Sequence, residues 1–177
     1  MKAPKVELKN LKYHVGHDGM QGMNADIFID GIKCMHVHDD AYGGCFEYHD
    51  YAYKNPKADQ IKSLIKKLDD HIKTLPIKKH TFNGKTIDIK PDLDGFVIDL
   101  EQEIAKEKTQ KKMMRQMAKA ILVGVPDADR YSYYNFKVPL AQIPKGQLEA
   151  AVLRIKMKLN KGEQILNTNL TALGVTI

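Results

Sequence analysis

Asp26-Ile-Phe-Ile-Asp-Gly-Ile-Lys-Cys-Met-His-Val-His38 carries the strongest local signal in the chain. Asp30-Gly31 lies between two runs of β-formers. A two-residue hairpin turn needs φ > 0 at both central positions, and Asp-Gly meets that need. The simplest register pairs Ile29 with Ile32, Ile27 with Cys34 and Ala25 with His36. Cross-strand partners share a face. Ile27, Ile29, Ile32, Cys34, His36 and His38 are therefore expected on one side, and Phe28, Met35 and Val37 on the other. Apolar residues on both sides predict a sheet covered at least in part on both faces.

Residues 6–14 alternate loosely and reach this hairpin through a Gly- and Asp-containing loop, residues 15–22. After it, Asn55-Pro56 supplies an N-cap and a first helical position. Ala58, Ile61, Leu64, Ile65, Leu68, Ile72 and Leu75 then recur at helical spacing until Pro76. Asn83-Gly84 predicts a second hairpin, Lys78–Phe82 against Lys85–Ile89. Residues 93–119 read as helical, but the apolar stripe fades between Ile104 and Met113, which leaves either a solvated extension or a break. Residues 121–125 read as a buried strand, with residues 131–138 as its antiparallel partner. Pro144 opens a helix carrying Leu148, Ala151, Val152, Ile155 and Leu159 on one face and closed by Gly162. A short strand over residues 163–167 follows, and the apolar tail, residues 168–177, is left unassigned.

The expected architecture is α+β: antiparallel β-hairpins packed against two or three amphipathic helices. It forms a single domain over residues 1–177, divisible at most into 1–91 and 92–177.

Composition bounds the function. Of 177 residues, 43% are apolar, enough for a packed core and too many for a wholly disordered chain. No apolar run approaches a membrane span, and the N-terminal residues show no secretory pattern. Two cysteines, Cys34 and Cys45, cannot form a disulfide framework, which fits a reducing cytoplasm. The net charge of +6 is unevenly placed, because residues 1–53 hold five lysines against eight carboxylates. That same segment holds five of the seven histidines and both cysteines.

Four constellations bear on chemistry. His36 and His38 lie two apart on a strand, so both rings point one way; they are expected either as a partly buried pair hydrogen-bonded to backbone or, with Asp39 and Asp40, as half of a metal-dependent hydrolase set. His36, His38 and Asp39 are the ligands of that alternative. The second is Asp39-Asp-Ala-Tyr-Gly-Gly-Cys45, a loop with neither a Walker nor a dinucleotide fingerprint. Its Tyr42, Gly43 and Gly44 are expected either to form a tight turn or to meet a ligand or partner. The third is Cys45, a thiol with His38 or His49 as a neighbouring base but no family signature. The fourth is the basic stretch with Lys106, Lys108, Lys111, Lys112, Arg115 and Lys119, a phosphate-contacting face in a nucleic-acid binder and otherwise a solvated helix face.

The runs Leu8-Lys-Asn-Leu-Lys-Tyr-His14, Ala25-Asp-Ile-Phe-Ile-Asp-Gly-Ile-Lys33, Tyr42-Gly-Gly44 and Gly162-Glu-Gln-Ile-Leu-Asn167 occur in an order that resembles a loose group of small proteins encoded by tailed bacteriophages. The resemblance implies an accessory protein made in the bacterial cytoplasm. Such proteins act by binding a host enzyme, a defence system or a nucleotide signal. It transfers no catalytic residues, and the His-Val-His-Asp-Asp stretch before the Gly-Gly loop departs from it. The leading expectation is a binding protein without a cofactor, whose contact residues are His36, His38, Asp39, Asp40, Tyr42, Gly43 and Gly44. It is not expected to act on a membrane; self-association through an edge strand is open.

Overall fold

A computed structural model describes residues 2–126, 128 and 130–176. The chain divides into two compact units, Met1–Gln102 and Glu103–Ile177. The fold is α+β, with three α-helices and antiparallel sheets among the described residues.

The first unit is built on a four-stranded antiparallel sheet in the order β1-β2-β3-β4. Its strands are β1 (Val6–Val15), β2 (Gln21–Ile29), β3 (Ile32–His38) and β4 (Glu47–Asp50). The Asp30-Gly31 turn forms as expected, with φ of 48° and 83°. The register starts with Ile29 opposite Ile32 and then shifts, so that Ile27 faces Met35 and Asp26 faces His36. Cys34 is the extra residue of a β-bulge. Cys34 and Met35 are both buried, as two residues opposite one partner on a bulged strand allow.

The expected faces are therefore corrected beyond the bulge. Ala25, Ile27, Ile29, Met35 and Val37 form the buried face, and His36 and His38 lie on the opposite one. A one-residue slip exchanges the two faces of a strand, and the sequence pattern contains no mark of the bulge.

α1 (Ala58–Ile72) packs on β2 and β3 through Ile61, Leu68 and Ile72. Burying such a side chain is worth about 1.5–3 kcal/mol. The helix starts later than expected. The Asn55 side chain accepts from the Lys57 N–H at 2.9 Å, so Asn55-Pro56 makes a turn ahead of the first helical residue rather than its cap. Lys67 of α1 reaches Asp30 in the hairpin turn at 2.7 Å.

β5 (Lys78–Phe82) and β6 (Lys85–Ile89) form the expected ribbon about Asn83-Gly84, exposed along both strands. α2 (Leu93–Met117) runs without the break that the fading stripe allowed. Its first turns belong to the first unit, where Val97 is buried and the Phe96 ring meets His71 edge-on.

The second unit holds a three-stranded antiparallel sheet in the order β8-β7-β9: β7 (Ala120–Gly124), β8 (Tyr131–Asn135) and β9 (Gln164–Ile165). β7 is buried from end to end. Ile121 and Val123 pack with Leu148, Val152 and Ile155 of α3 (Lys145–Lys156), while Ala120 and Leu122 pack with Met117 on the other side. The unassigned tail completes the first of these cores through Leu170 and Val175. No helix among the described residues is long and apolar enough to cross a membrane.

Candidate functional site

The face of the first sheet opposite α1 is polar and carries a connected set of side chains. Asp26 sits at its centre, 6% exposed. Its carboxylate accepts from Asn10 Nδ2 at 2.7 Å, His36 Nδ1 at 3.0 Å, Tyr51 Oη at 3.2 Å and Lys33 Nζ at 2.9 Å. Burial pushes the Asp26 carboxyl upward, but the bonds from Asn10, His36 and Lys33 outweigh it and hold the group well below the usual carboxylate range.

Each donor has a local cause. Asn10 stands at a bulge in β1 with φ of 56°, a left-handed conformation that asparagine tolerates better than most residues. Lys33 also lies over the Tyr51 ring, 4.3 Å from its centroid. The bonds that Lys33 makes to Tyr51 and then to Asp26 raise its pKa above its ordinary value.

A second group lies beside it. His38 Nδ1 donates to Asn24 Oδ1 at 2.6 Å, and Asn24 Nδ2 donates to His14 Nδ1 at 3.3 Å. The His14 and His38 rings stack with centroids 5.6 Å apart and planes 12° off parallel. Both β3 histidines therefore have Nδ1 committed to a neighbour on β2, which orients each ring.

The loop after β3 is braced by its own carboxylates. Asp39 accepts from the Ala41 N–H and Asp40 from the Tyr42 N–H, each at 2.9 Å. Gly43 has φ of 78° with open space where a Cβ would stand, so the backbone turn accounts for the glycine there. Tyr42 projects from the tip, 65% exposed.

Gly22 explains how the loop meets the sheet. A Cβ at this position would stand 2.4 Å from the Asp39 carbonyl oxygen and 2.7 Å from His14 Nε2. Asp39 has little freedom to withdraw, since its N–H donates to the Met23 carbonyl at 2.8 Å. Gly22→Ala is expected to cost about 1–3 kcal/mol, as overpacking does, and to displace His14 from its stack. Thermal unfolding together with the imidazole proton resonances checks both effects.

The expected residues thus separate into two places. His36 and His38 share the open face, while Asp39, Asp40, Tyr42, Gly43 and Gly44 form the loop at its end. The metal alternative is not assembled. Among the described residues, no group of three or more histidine, cysteine or carboxylate side chains is placed to hold one ion. His36 is turned to Asp26, His38 to Asn24, and Asp39 back onto its own loop. Cys45 is exposed, whereas Cys34 is buried, which pushes its thiol pKa up.

Of the basic stretch, Lys108, Lys111, Lys112 and Arg115 line one shallow cleft of about 330 Å³. Lys106 and Lys119 are exposed outside it. Asn10, Asn24, Asp26 and Tyr51 escape the sequence reading, because the two bulges that bring them to the histidines have no sequence signature.

Tyrosines on the sheet's other face tie it to the start of α2. Tyr48 Oη donates to Asp94 at 2.8 Å, and burial followed by this bond raises the Tyr48 pKa. Tyr13 Oη donates to Glu101, and burial together with that carboxylate pushes its pKa up to about 12.

No family model, curated protein or solved structure matches the chain.

Proposed function

We propose that the chain is a non-enzymatic binding protein whose contact surface is the open polar face of the β1–β4 sheet together with the Asp39–Gly44 loop. One observation carries this reading: the polar side chains of the face are bonded to one another rather than aimed at a common reacting point. Asp26, the buried carboxylate, already accepts from four donors, which leaves it poorly suited to act as a general base. Such cross-bracing fixes side chains before contact and reduces the entropy lost on binding. Tyr42, at the tip of a braced loop, is the kind of amphipathic aromatic that anchors interfaces.

The resemblance to accessory proteins of tailed phages supports a bacterial host protein or a nucleotide signal as the bound species. Its capture would antagonise a host process or defence system in the bacterial cytoplasm. Immobilised protein incubated with bacterial lysate tests this. A retained protein or nucleotide, identified by mass spectrometry, is expected with the unaltered chain and is expected to be lost with Tyr42→Ala, an exposed position that leaves the fold intact. Retention of neither species would remove the basis for the reading.

A second reading is favoured by the Lys108, Lys111, Lys112 and Arg115 cleft, which suits the phosphates of a nucleic acid. Gel shifts over a salt series separate it from the first. A phosphate-dominated complex weakens steeply with salt and is lost when Lys108 and Lys112 are both changed to glutamate.

A further inference from the structure

β8 is an outer strand of the second unit's sheet. The Phe136 N–H donates inward to the Lys119 carbonyl at 2.9 Å. Because backbone direction alternates along a strand, Ser132 and Tyr134 also face β7, while Tyr133 and Asn135 turn their N–H and C=O groups outward. Among the described residues no strand pairs with that outer edge.

Beside the edge runs an open groove of about 460 Å³ between β8 and α3. Its floor is apolar, formed by Phe136, Ala151 and Ile155, with Tyr134 along the strand side. Its other wall carries Arg154 of α3 and Lys158 in the turn that follows the helix. No carboxylate lines it among the described residues.

We propose that this groove binds an extended acidic peptide segment of a partner protein, added as an antiparallel or parallel strand on the β8 edge. The unpaired backbone groups of Tyr133 and Asn135 call for a strand rather than a helix. An extended peptide supplies matching groups at the spacing that strand addition uses. Alternate side chains of the added strand point toward α3. Apolar ones rest on Phe136 and Ile155, and carboxylates reach Arg154 and Lys158, with the arginine able to hold one in a two-pronged contact. The charge of the wall selects the sign of the peptide, and the edge selects its conformation. This surface lies in the second unit and is independent of the polar face described above.

Random peptides displayed on phage and panned against the full chain test the proposal. The selected peptides are expected to place Asp or Glu between β-branched or aromatic residues. Their affinity should fall at least about tenfold when Arg154 and Lys158 are both changed to glutamate, or when the peptide's own acids are changed to lysine. The second comparison uses the unaltered protein, so it holds even where the double variant folds poorly. Amide exchange of Tyr133 and Asn135 should slow in the complex. Failure to select any peptide, selection of peptides without acidic residues, or unchanged exchange at Tyr133 and Asn135 would overturn the assignment.

Discussion

Asp26→Ala is expected to lower folding stability by about 2–3 kcal/mol. The variant removes one acceptor and leaves Asn10, Lys33, His36 and Tyr51 facing a gap on the sheet. Lys33 and His36 are partly exposed, so water replaces some of what they lose, and the cost stays below that of a fully buried ion pair. Urea unfolding followed by circular dichroism measures the change.

Asp26→Asn isolates the charge and gives a pH dependence of known sign. The carboxyl pKa in the folded chain lies below its ordinary value of 3.8. The stabilisation from ionised Asp26 is then fully present above that ordinary value and is lost as pH falls through the lower, folded one. The stability difference between the unaltered chain and Asp26→Asn should be constant near neutrality and shrink below about pH 4. A difference that grows on acidification would contradict the bonding scheme around Asp26.

Asn167→Ala is expected to cost about 2–4 kcal/mol, the sum of two buried backbone groups left without partners. Asn167 is 2% exposed. Its Oδ1 accepts from the Leu122 N–H at 2.6 Å, and its Nδ2 donates to the Ala120 carbonyl at 3.0 Å. The side-chain amide thus occupies the place where a further residue of β9 would pair with β7, after the β9 strand has ended at Ile165. Hydrogen exchange supplies a specific check, because the Leu122 amide should lose far more protection than its neighbours on β7. Equal loss along the whole strand would point to general destabilisation instead.

This second case also shows what the sequence makes legible. Gly162-Glu-Gln-Ile-Leu-Asn167 reads as a short strand after a glycine, yet composition and spacing say nothing of why asparagine ends it. The reason is a contact with residues 45 and 47 positions away along the chain. Local features read well for the opposite cause. Asp30-Gly31 and Asn83-Gly84 force their turns through backbone conformation alone, and the Ile61, Leu68 and Ile72 spacing marks the buried side of α1.

The bulges at Asn10 and Cys34 lie between these extremes. Each adds one residue to a strand and leaves the alternating pattern superficially intact. Reading through Cys34 without a bulge placed His36 and His38 with the buried isoleucines. Inserting it moves them to the open face, beside Asp26 and Asn24. The histidine pair was visible in the sequence, but its partners were not, and the partners decide between a metal set and a braced surface. Likewise the net charge of +6 permits an acidic ligand without naming or locating one. The structure groups four cations in one cleft and sets Arg154 and Lys158 beside an open strand edge.

Hydrogen–deuterium exchange on the chain, free and in complex with the species it retains from bacterial lysate, tests whether the polar face of the β1–β4 sheet is the contact surface. New protection is expected across β3, the Asp39–Gly44 loop and β4, with none over residues 106–119. Protection confined to residues 106–119, with the β1–β4 sheet unchanged, would contradict it.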